Sequence, residues 1–553
     1  MKTAIPNRKF IPFQIVLIIT SGLLVYANAL YGKFLWDDYG LVRDNNYIKS
    51  FFHIGKIFIT NIGAGRDVVS DFYRPMQIFT YALDYSLWGL NTIGYHLTSV
   101  LFHIAVALLL YWLVNIIFKN YWLSFLSALL FVVHPVHTET VAYVAGRADI
   151  LAAFFILLTL IFYVRYIESN RNKLFVFVLL FYPAALLSKE CSLILPLLIA
   201  FYHYVFKIKI KIKVLLFLFI EIAAYAFLRF LALKSQPDVL ISTPSLYARL
   251  PGSFLAISEY IKLTLLPFNL HMEYGLKLFK FSEPGVIAGM CIVLTGLLCL
   301  VKRWGQPIWV FAIGWFFITL FPALNIYPVN AYMAEHWLYL PSLGIFIVIS
   351  FGIINLYKLR LFRLCSIILT ILLVYFYAFL TMQQNNYWQT PFIFLERTLQ
   401  YAPHSPRINS ELGDEYAALR NDAKALEFYE KAMRIDPRYQ SAYIGLGNLY
   451  YVSGKAMEAL GIYQKAIDIN PNFSEPYIGL GNTLFALNRK AEAIKSYEKA
   501  ILLRPDLAYA YYNITVAYLS LKEYKMAIKY WDIAMRLGYK ANPALEKILK
   551  PYR

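Results

Sequence analysis

Between residues 11 and 381, runs of about twenty mainly apolar residues follow one another, separated by short charged or polar breaks, and nothing else in the sequence restricts the fold as tightly. A run of that length crosses the hydrocarbon core of a bilayer as an α-helix. The 553 residues are 59% hydrophobic and 18% aromatic, a balance that excludes an ordinary soluble enzyme. Candidate crossings are 11–30, 95–117, 121–141, 148–166, 173–188, 191–206, 214–233, 284–301, 307–327, 338–357 and 362–381, about eleven in all.

The net charge of +19 would suggest nucleic acid in a soluble protein, but here the basic residues cluster between hydrophobic runs, where they set orientation. Lys2, Arg8 and Lys9 precede the first run and place the N-terminus in the cytoplasm. Arg165/Arg171/Lys173 and Lys207/Lys209/Lys211/Lys213 then also fall inside. Lys302/Arg303 and Lys358/Arg360/Arg363 do so only if 234–283 stays outside, with 250–270 a membrane-surface or re-entrant segment. Counting 250–270 as a twelfth crossing would put both late clusters outside. Ala27-Asn28-Ala29 has the form of a signal-peptidase site, but the first run exceeds a typical signal core and reads as an uncleaved helix. Cys191, Cys291, Cys299 and Cys365 lie in apolar runs without metal spacing, so no disulfide framework or structural metal is expected.

This topology gathers three stretches on the outer side. The first, 31–94, is too long for a simple connector and holds Trp36-Asp37-Asp38, Asp71, Tyr73-Arg74-Pro75 and Asp84. The second runs from His134-Pro135-Val136-His137-Thr138-Glu139 to Gly146-Arg147-Ala148-Asp149, and the third is Tyr332 to Trp337, with Glu335-His336. An acidic pair leaving a membrane helix marks a functional site, although solvated loop acids would give the same pattern. His134-x-x-His137-x-Glu139 offers zinc-type ligands, but Pro135 spoils the helical spacing and no third histidine follows, so substrate hydrogen bonding is the better reading. Arg147 reads either as an ion pair with Asp149 or as a bidentate ligand for lipid phosphate. Lys189-Glu190 reads either as a self-neutralising turn or as part of the same polar face. No P-loop, Rossmann glycine fingerprint or G-x-S-x-G is present.

Beyond 382 the chain turns polar and a 34-residue period appears: Pro403, Pro437, Pro471 and Pro505. Leu412-Gly413, Leu446-Gly447 and Leu480-Gly481 keep that register, as do Ala425, Ala459, Ala493 and Ala527, and Ala432, Ala466, Ala500 and Ala534. This is the tetratricopeptide period, in which small residues let paired helices approach and proline ends each second helix. The expected organisation is all-α: a polytopic membrane domain over 1–381, a linker over 382–405, four repeats forming an α-solenoid over 406–541, and a tail over 542–553.

Trp36-Asp37-Asp38, Tyr73-Arg74-Pro75, His134-Pro135-x-His137-x-Glu139, Gly146-Arg147-Ala148-Asp149, Lys189-Glu190 and Leu338-Tyr339-Leu340-Pro341-Ser342 occur in that order before the repeats. The arrangement resembles the transmembrane and tetratricopeptide repeat-containing protein O-mannosyltransferase family, within the GT-C glycosyltransferases. The resemblance implies a polyprenyl- or dolichyl-phosphate sugar donor, a protein Ser/Thr hydroxyl as acceptor, and an aspartate of the first outer loop as catalytic base. The candidates here are Asp37 and Asp38. Where the family commonly has arginine after the third-stretch glutamate this chain has His336, whose charge depends on pH.

The chemistry fits independently. An acceptor hydroxyl loses its proton to a positioned carboxylate, and fixed cations stabilise the departing phosphate. Neighbouring side chains diverge, so Asp37 is read as the base and Asp38 as positioning the acceptor or the loop. Arg147, Lys189, Arg74 and His336 are the phosphate-binding candidates, and His134, His137, Glu139, Asp149, Glu190 and Glu335 the substrate-binding ones. No cofactor is expected, though the acidic pair leaves room for a divalent cation. The expected partners are the lipid donor, membrane lipid and a peptide held by the repeats, with no nucleic acid. The setting is a bacterial inner membrane with periplasmic repeats or an endoplasmic reticulum membrane with lumenal repeats. A membrane-tethered scaffold and a transferase acting on surface polysaccharide are the competing functions.

Overall fold

The computed structural model describes residues 10–553 apart from 67–69, 234–243, 276, 303–305, 327, 329, 330 and 541. Lys2, Arg8, Lys9 and Arg303 of the basic clusters therefore lie outside the described residues. All regular structure among the described residues is helical. The chain divides into two compact units, Met1–Phe394 and Leu395–Arg553.

The first unit is a helical bundle. Its elements are α1 (Ile11–Val25), α2 (Ile54–Ile59), α3 (Pro75–Trp88), α4 (Thr92–Phe118), α5 (Tyr121–Val133), α6 (Thr138–Ala142), α7 (Arg147–Ser169) and α8 (Asn172–Leu186). They continue with α9 (Leu195–Phe206), α10 (Ile212–Leu233), α11 (Leu246–Leu265), α12 (Pro284–Lys302), α13 (Pro307–Leu320), α14 (Ser342–Lys358) and α15 (Arg363–Tyr387). Among the described residues, five helical segments are long and apolar enough to cross a bilayer: Thr92–Phe118, Val144–Ser169, Ile212–Leu233, Pro284–Lys302 and Arg360–Tyr387.

The 121–141 run, expected as one continuous crossing, is broken at His134-Pro135 and bends by 55°. His134 is extended, as a residue before proline prefers, and Pro135 can neither donate to the helix ladder nor continue it. The segment 250–270 lies largely within α11, and both ends of that helix are tied to loops near the polar end of the bundle. Thr264 O meets His134 Nε2 at 3.0 Å, and the Arg249 guanidinium donates to Asn325 O.

Hydrogen bonds define two unlike ends of the bundle. At one end Asn385 Nδ2 donates to Val25 O (2.9 Å), Thr381 Oγ1 to Val133 O (2.7 Å), and His96 Nε2 meets Gly32 O (3.1 Å). These contacts join the ends of α1, α5 and α15 to the start of α4, and the loops there carry the acidic and histidine motifs. At the other end Lys119 Nζ meets Glu168 at 2.8 Å and Lys211 Nζ meets Asn170 at 2.6 Å, among the basic clusters. The motifs and the basic clusters are thus separated along the helix axes.

Helix α16 (Pro391–Tyr401) occupies the stretch expected as linker, and α15 already extends to Tyr387. Four antiparallel pairs follow: α17 and α18 (Pro406–Ala418, Asp422–Ile435), α19 and α20 (Gln440–Val452, Ala456–Ile469), α21 and α22 (Glu475–Ala486, Lys490–Leu503), α23 and α24 (Ala508–Ser520, Tyr524–Arg536). A last helix, α25, spans Pro543–Leu549. The alanines at 425, 459, 493 and 527 are fully buried where paired helices touch. In the first three pairs the tyrosine of the second helix crosses back to the first: Tyr429 Oη donates to Asp414 (2.6 Å), Tyr463 to Asn448 (2.6 Å) and Tyr497 to Asn482 (2.8 Å). Gly413, Gly447 and Gly481 give these rings room, since a Cβ would come within 2.7 Å of each ring.

Candidate active site

The first functional group leaves the end of α1. Trp36 has φ +45°, in the left-handed region that a bulky residue adopts only when its surroundings enforce it. Its indole lies against Phe394 (5.6 Å between centroids), and Trp388 links Phe394 (4.9 Å) to Tyr143 (5.5 Å). This aromatic group holds the turn that presents the two aspartates in opposite ways. Asp38 is fully buried, and each carboxylate oxygen accepts a backbone N–H: Oδ2 from Leu35 (2.9 Å), Oδ1 from Ala145 (2.7 Å). Burial pushes its carboxyl up to about 8 despite those two donors. Asp37 is exposed, and its own N–H donates to Tyr143 Oη at 3.0 Å. Burial, then the charges of Asp37 and Asp38, hold the Tyr143 hydroxyl well above its usual range, so it stays protonated beside Asp37.

Ala145 belongs to a turn that α3 fixes. Gln77 Nε2 donates to Ala145 O (2.8 Å) and Tyr81 Oη to Val144 O (2.7 Å). Gly146 is required there by close approach: a Cβ would sit 2.8 Å from Thr140 O and 2.9 Å from Glu139 O. Arg147 follows, and the structure corrects both of its expected roles. Its side chain has no exposed surface, its Nη1 is 2.6 Å from Asp84, and it donates to Tyr95 O (2.7 Å) and Ser99 Oγ (3.2 Å). Enclosed and engaged, it pairs with Asp84 instead of Asp149 and offers no exposed surface to a phosphate. It locks α7 to α3 and α4.

The neighbouring charges also pair across the fold, not along the sequence. Lys189 and Glu190 do not neutralise one another. Lys189 Nζ is clasped by both oxygens of Asp149 at 2.7 Å, and Arg74 binds Glu190 in a fork, Nη2 at 2.6 Å and Nε at 3.1 Å. Burial opposes ionisation of Glu190, but the Arg74 charge and its hydrogen bonds outweigh that and hold the carboxyl down at about 2. Lys189 and Asp149 are about nine-tenths enclosed, whereas the Glu190 side chain keeps 33% exposure.

The histidine motif is a packing element. His134 and His137 are fully buried, and both ring nitrogens of each are engaged. His134 Nδ1 accepts from Val136 N–H, and its Nε2 meets Thr264 O; His137 meets Phe131 O at 2.8 Å and Ser342 Oγ at 3.0 Å. Both imidazoles, expected to face a substrate, are turned into the bundle at the bend by Pro135. Glu139 is likewise enclosed and grips the third stretch, accepting from His336 N–H (3.0 Å) and meeting His336 Nδ1 (2.7 Å). Glu335 is buried and accepts from His271 N–H and Tyr274 Oη. These two carboxylates position loops, whereas the His336 side chain keeps 26% exposure. Among the described residues, no three His, Cys, Asp or Glu side chains gather as a metal site would require.

Sequence reasoning missed Gln77, Tyr81, Tyr143 and Tyr274, single polar or aromatic residues that carry no motif. Only their long-range hydrogen bonds reveal them.

Family models described as tetratricopeptide repeat match residues 406–439 and 462–495, and one described as TPR repeat matches 481–522. A protein O-mannosyl-transferase of Caenorhabditis elegans is 26% identical over 77% of this chain and 63% of its own length. The human protein O-mannosyl-transferases TMTC1 and TMTC4 are 24% and 26% identical, each over 77% of this chain, covering 55% and 67% of their own lengths. The chain thus spans from about half to two thirds of the length of the curated relatives it matches. The similarity to these relatives extends over 77% of the chain.

Proposed function

We propose that this chain is an integral-membrane glycosyltransferase that moves a hexose such as mannose from a polyprenyl- or dolichyl-phosphate donor to a Ser/Thr hydroxyl of a protein. The observation that carries the reading is Asp37, an exposed carboxylate on the stretch that follows the apolar helix α1, on a turn fixed by Asp38 and by four packed aromatics, Tyr143 among them. Its relatives are named protein O-mannosyl-transferases, which supports transfer of mannose to a protein.

In the proposed step the acceptor oxygen bonds to the anomeric carbon while the bond from that carbon to the phosphate oxygen breaks. The phosphate leaves with the bonding electron pair, and Asp37 takes the acceptor proton. A single displacement of this kind inverts the anomeric centre. An exposed carboxylate suits the role of base. Asp38 does not, since both its oxygens are spent on backbone N–H groups. The reaction takes place on the side of the membrane opposite the basic clusters. The repeats supply a peptide-binding surface that raises the local concentration of acceptor.

The test uses purified full-length protein with polyprenyl-phosphate mannose and a Ser/Thr-rich peptide, followed by mass spectrometry of the peptide. A mass gain of one hexose supports the reading. Transfer to surface polysaccharide but to no peptide would move the acceptor class, and transfer to neither would defeat the proposal.

A further inference from the structure

The proposed function leaves the donor phosphate in need of a cation. Arg147 is enclosed, Arg74 is forked to Glu190, and Lys189 is clasped by Asp149, so the two outer cations are balanced by two carboxylates. Beside this balanced set stands Arg229, near the end of α10. Its Nη2 donates only to a neutral acceptor, Asp71 O (3.1 Å), and its Nη1 is buried with no hydrogen-bond partner. No described carboxylate forms an ion pair with it.

Four residues earlier, and therefore on the same face of the helix, lies Tyr225. Its ring neighbours Tyr73 (6.0 Å between centroids), and its hydroxyl is buried without a partner next to the Arg229 guanidinium and near Arg74 and Glu190. Farther down that face Glu221 Oε2 is unpartnered, and so is the hydroxyl of Tyr182 on the adjoining α8. Four orphaned polar atoms thus line one seam between α8 and α10. The remaining surface of α10 is apolar and exposed, with Phe227, Phe230 and Leu231 near the same end. Ionisable residues inside an apolar span mark a site, and orphaned buried donors are costly until something binds them.

We infer that the outer end of this seam, Arg229 with Tyr225, binds the phosphate ester of a membrane lipid. The guanidinium offers paired donors to two phosphate oxygens, the phenol adds a third donor, and the anion neutralises Arg229. Phe227, Phe230 and Leu231 give the lipid chain an apolar surface beside the headgroup. That the lipid is the sugar donor rests on the proposed function. A bilayer phospholipid carries the same phosphate chemistry. Glu221 lies about 12 Å deeper along the axis, too far to touch the phosphate.

Binding to the purified full-length protein is measured with polyprenyl-phosphate mannose and, separately, with phosphatidylglycerol. Arg229→Gln is expected to weaken the polyprenyl ligand about tenfold or more, Arg229→Lys to restore part of that, and Tyr225→Phe to lose a few-fold, the scale of charge-assisted and neutral hydrogen bonds. Glu221→Gln stays within about twofold. Melting curves report folding, and Tyr225→Phe keeps the test decisive should Arg229→Gln misfold. Unchanged polyprenyl binding in Arg229→Gln and Tyr225→Phe overturns the site while leaving the proposed function standing. Equal loss of phosphatidylglycerol and polyprenyl ligand keeps the phosphate site but overturns its assignment to the donor. Failure of the wild type to bind any polyprenyl phosphate overturns both.

Discussion

Replacing Asp84 by Asn should unfold the membrane unit far more easily without touching its exposed polar face. Asp84 lies 2.6 Å from the fully enclosed Arg147 and accepts from Thr98 at 2.8 Å, so the amide keeps the shape and one hydrogen bond but removes the counter-charge. Stripping one partner from a buried ion pair costs about 3–5 kcal/mol, because the other charge is left without compensation. Arg147 keeps the Tyr95 carbonyl and the Ser99 hydroxyl as acceptors, which argues for the lower half of that range. Arg147→Met should cost a similar amount by stranding Asp84. The double variant Asp84→Asn with Arg147→Met should recover most of the loss, since no buried charge then remains. Denaturant titration of the full chain in mixed micelles gives the four corners of the cycle. Were Arg147→Met to unfold like the wild type while losing phosphate-lipid binding, Arg147 would be a ligand and the reading of it as a structural lock would be wrong.

Three smaller outcomes follow from the same geometry. Gly146→Ala forces its Cβ against the Thr140 and Glu139 carbonyls at 2.8 and 2.9 Å, so the 139–147 turn must open. A loss of about 1–3 kcal/mol in unfolding and faster proteolysis near Ala145 should be seen, the usual scale of overpacking. Glu190 is held down at about 2, below its ordinary 4.5, so the Arg74 pair contributes stability that is complete above pH 4.5 and lost as pH falls through 2; Glu190→Gln should flatten that acid limb. Asp38 shifts the other way, from 3.8 to about 8, so its contribution is complete below pH 3.8 and lost as pH rises through 8; Asp38→Asn should remove this decline from the unfolding profile.

The repeats were legible because their information is local and periodic. A 34-residue spacing of proline, alanine and glycine fixes helix ends and helix contacts together, and the tyrosine bonds to Asp414, Asn448 and Asn482 span only 15 residues. The membrane bundle was legible as a set of runs, since apolar length needs no knowledge of neighbours. Pairing was not. Arg147 beside Asp149 invites a local ion pair, yet residues two apart on a helix diverge, and the partners lie on α3 and the 187–194 turn. The histidine motif misled for a similar reason: Pro135 spoils a helical ligand geometry, but its other consequence, a 55° break that folds both rings into the core, depends on packing. The aspartate pair was separable in principle by side-chain divergence. Which one is buried depended on Ala145, more than a hundred residues away.

The most direct test of the account compares Asp37→Asn with Asp38→Asn in peptide mannosylation, with polyprenyl-phosphate binding and unfolding measured on the same preparations. Asp37→Asn should lower transfer by about 10²–10⁴-fold, the worth of a positioned base, with donor binding and stability unchanged. Asp38→Asn should instead alter stability and its pH dependence, because the carboxylate ties Leu35 to Ala145. Transfer near the wild-type rate in Asp37→Asn would contradict the account.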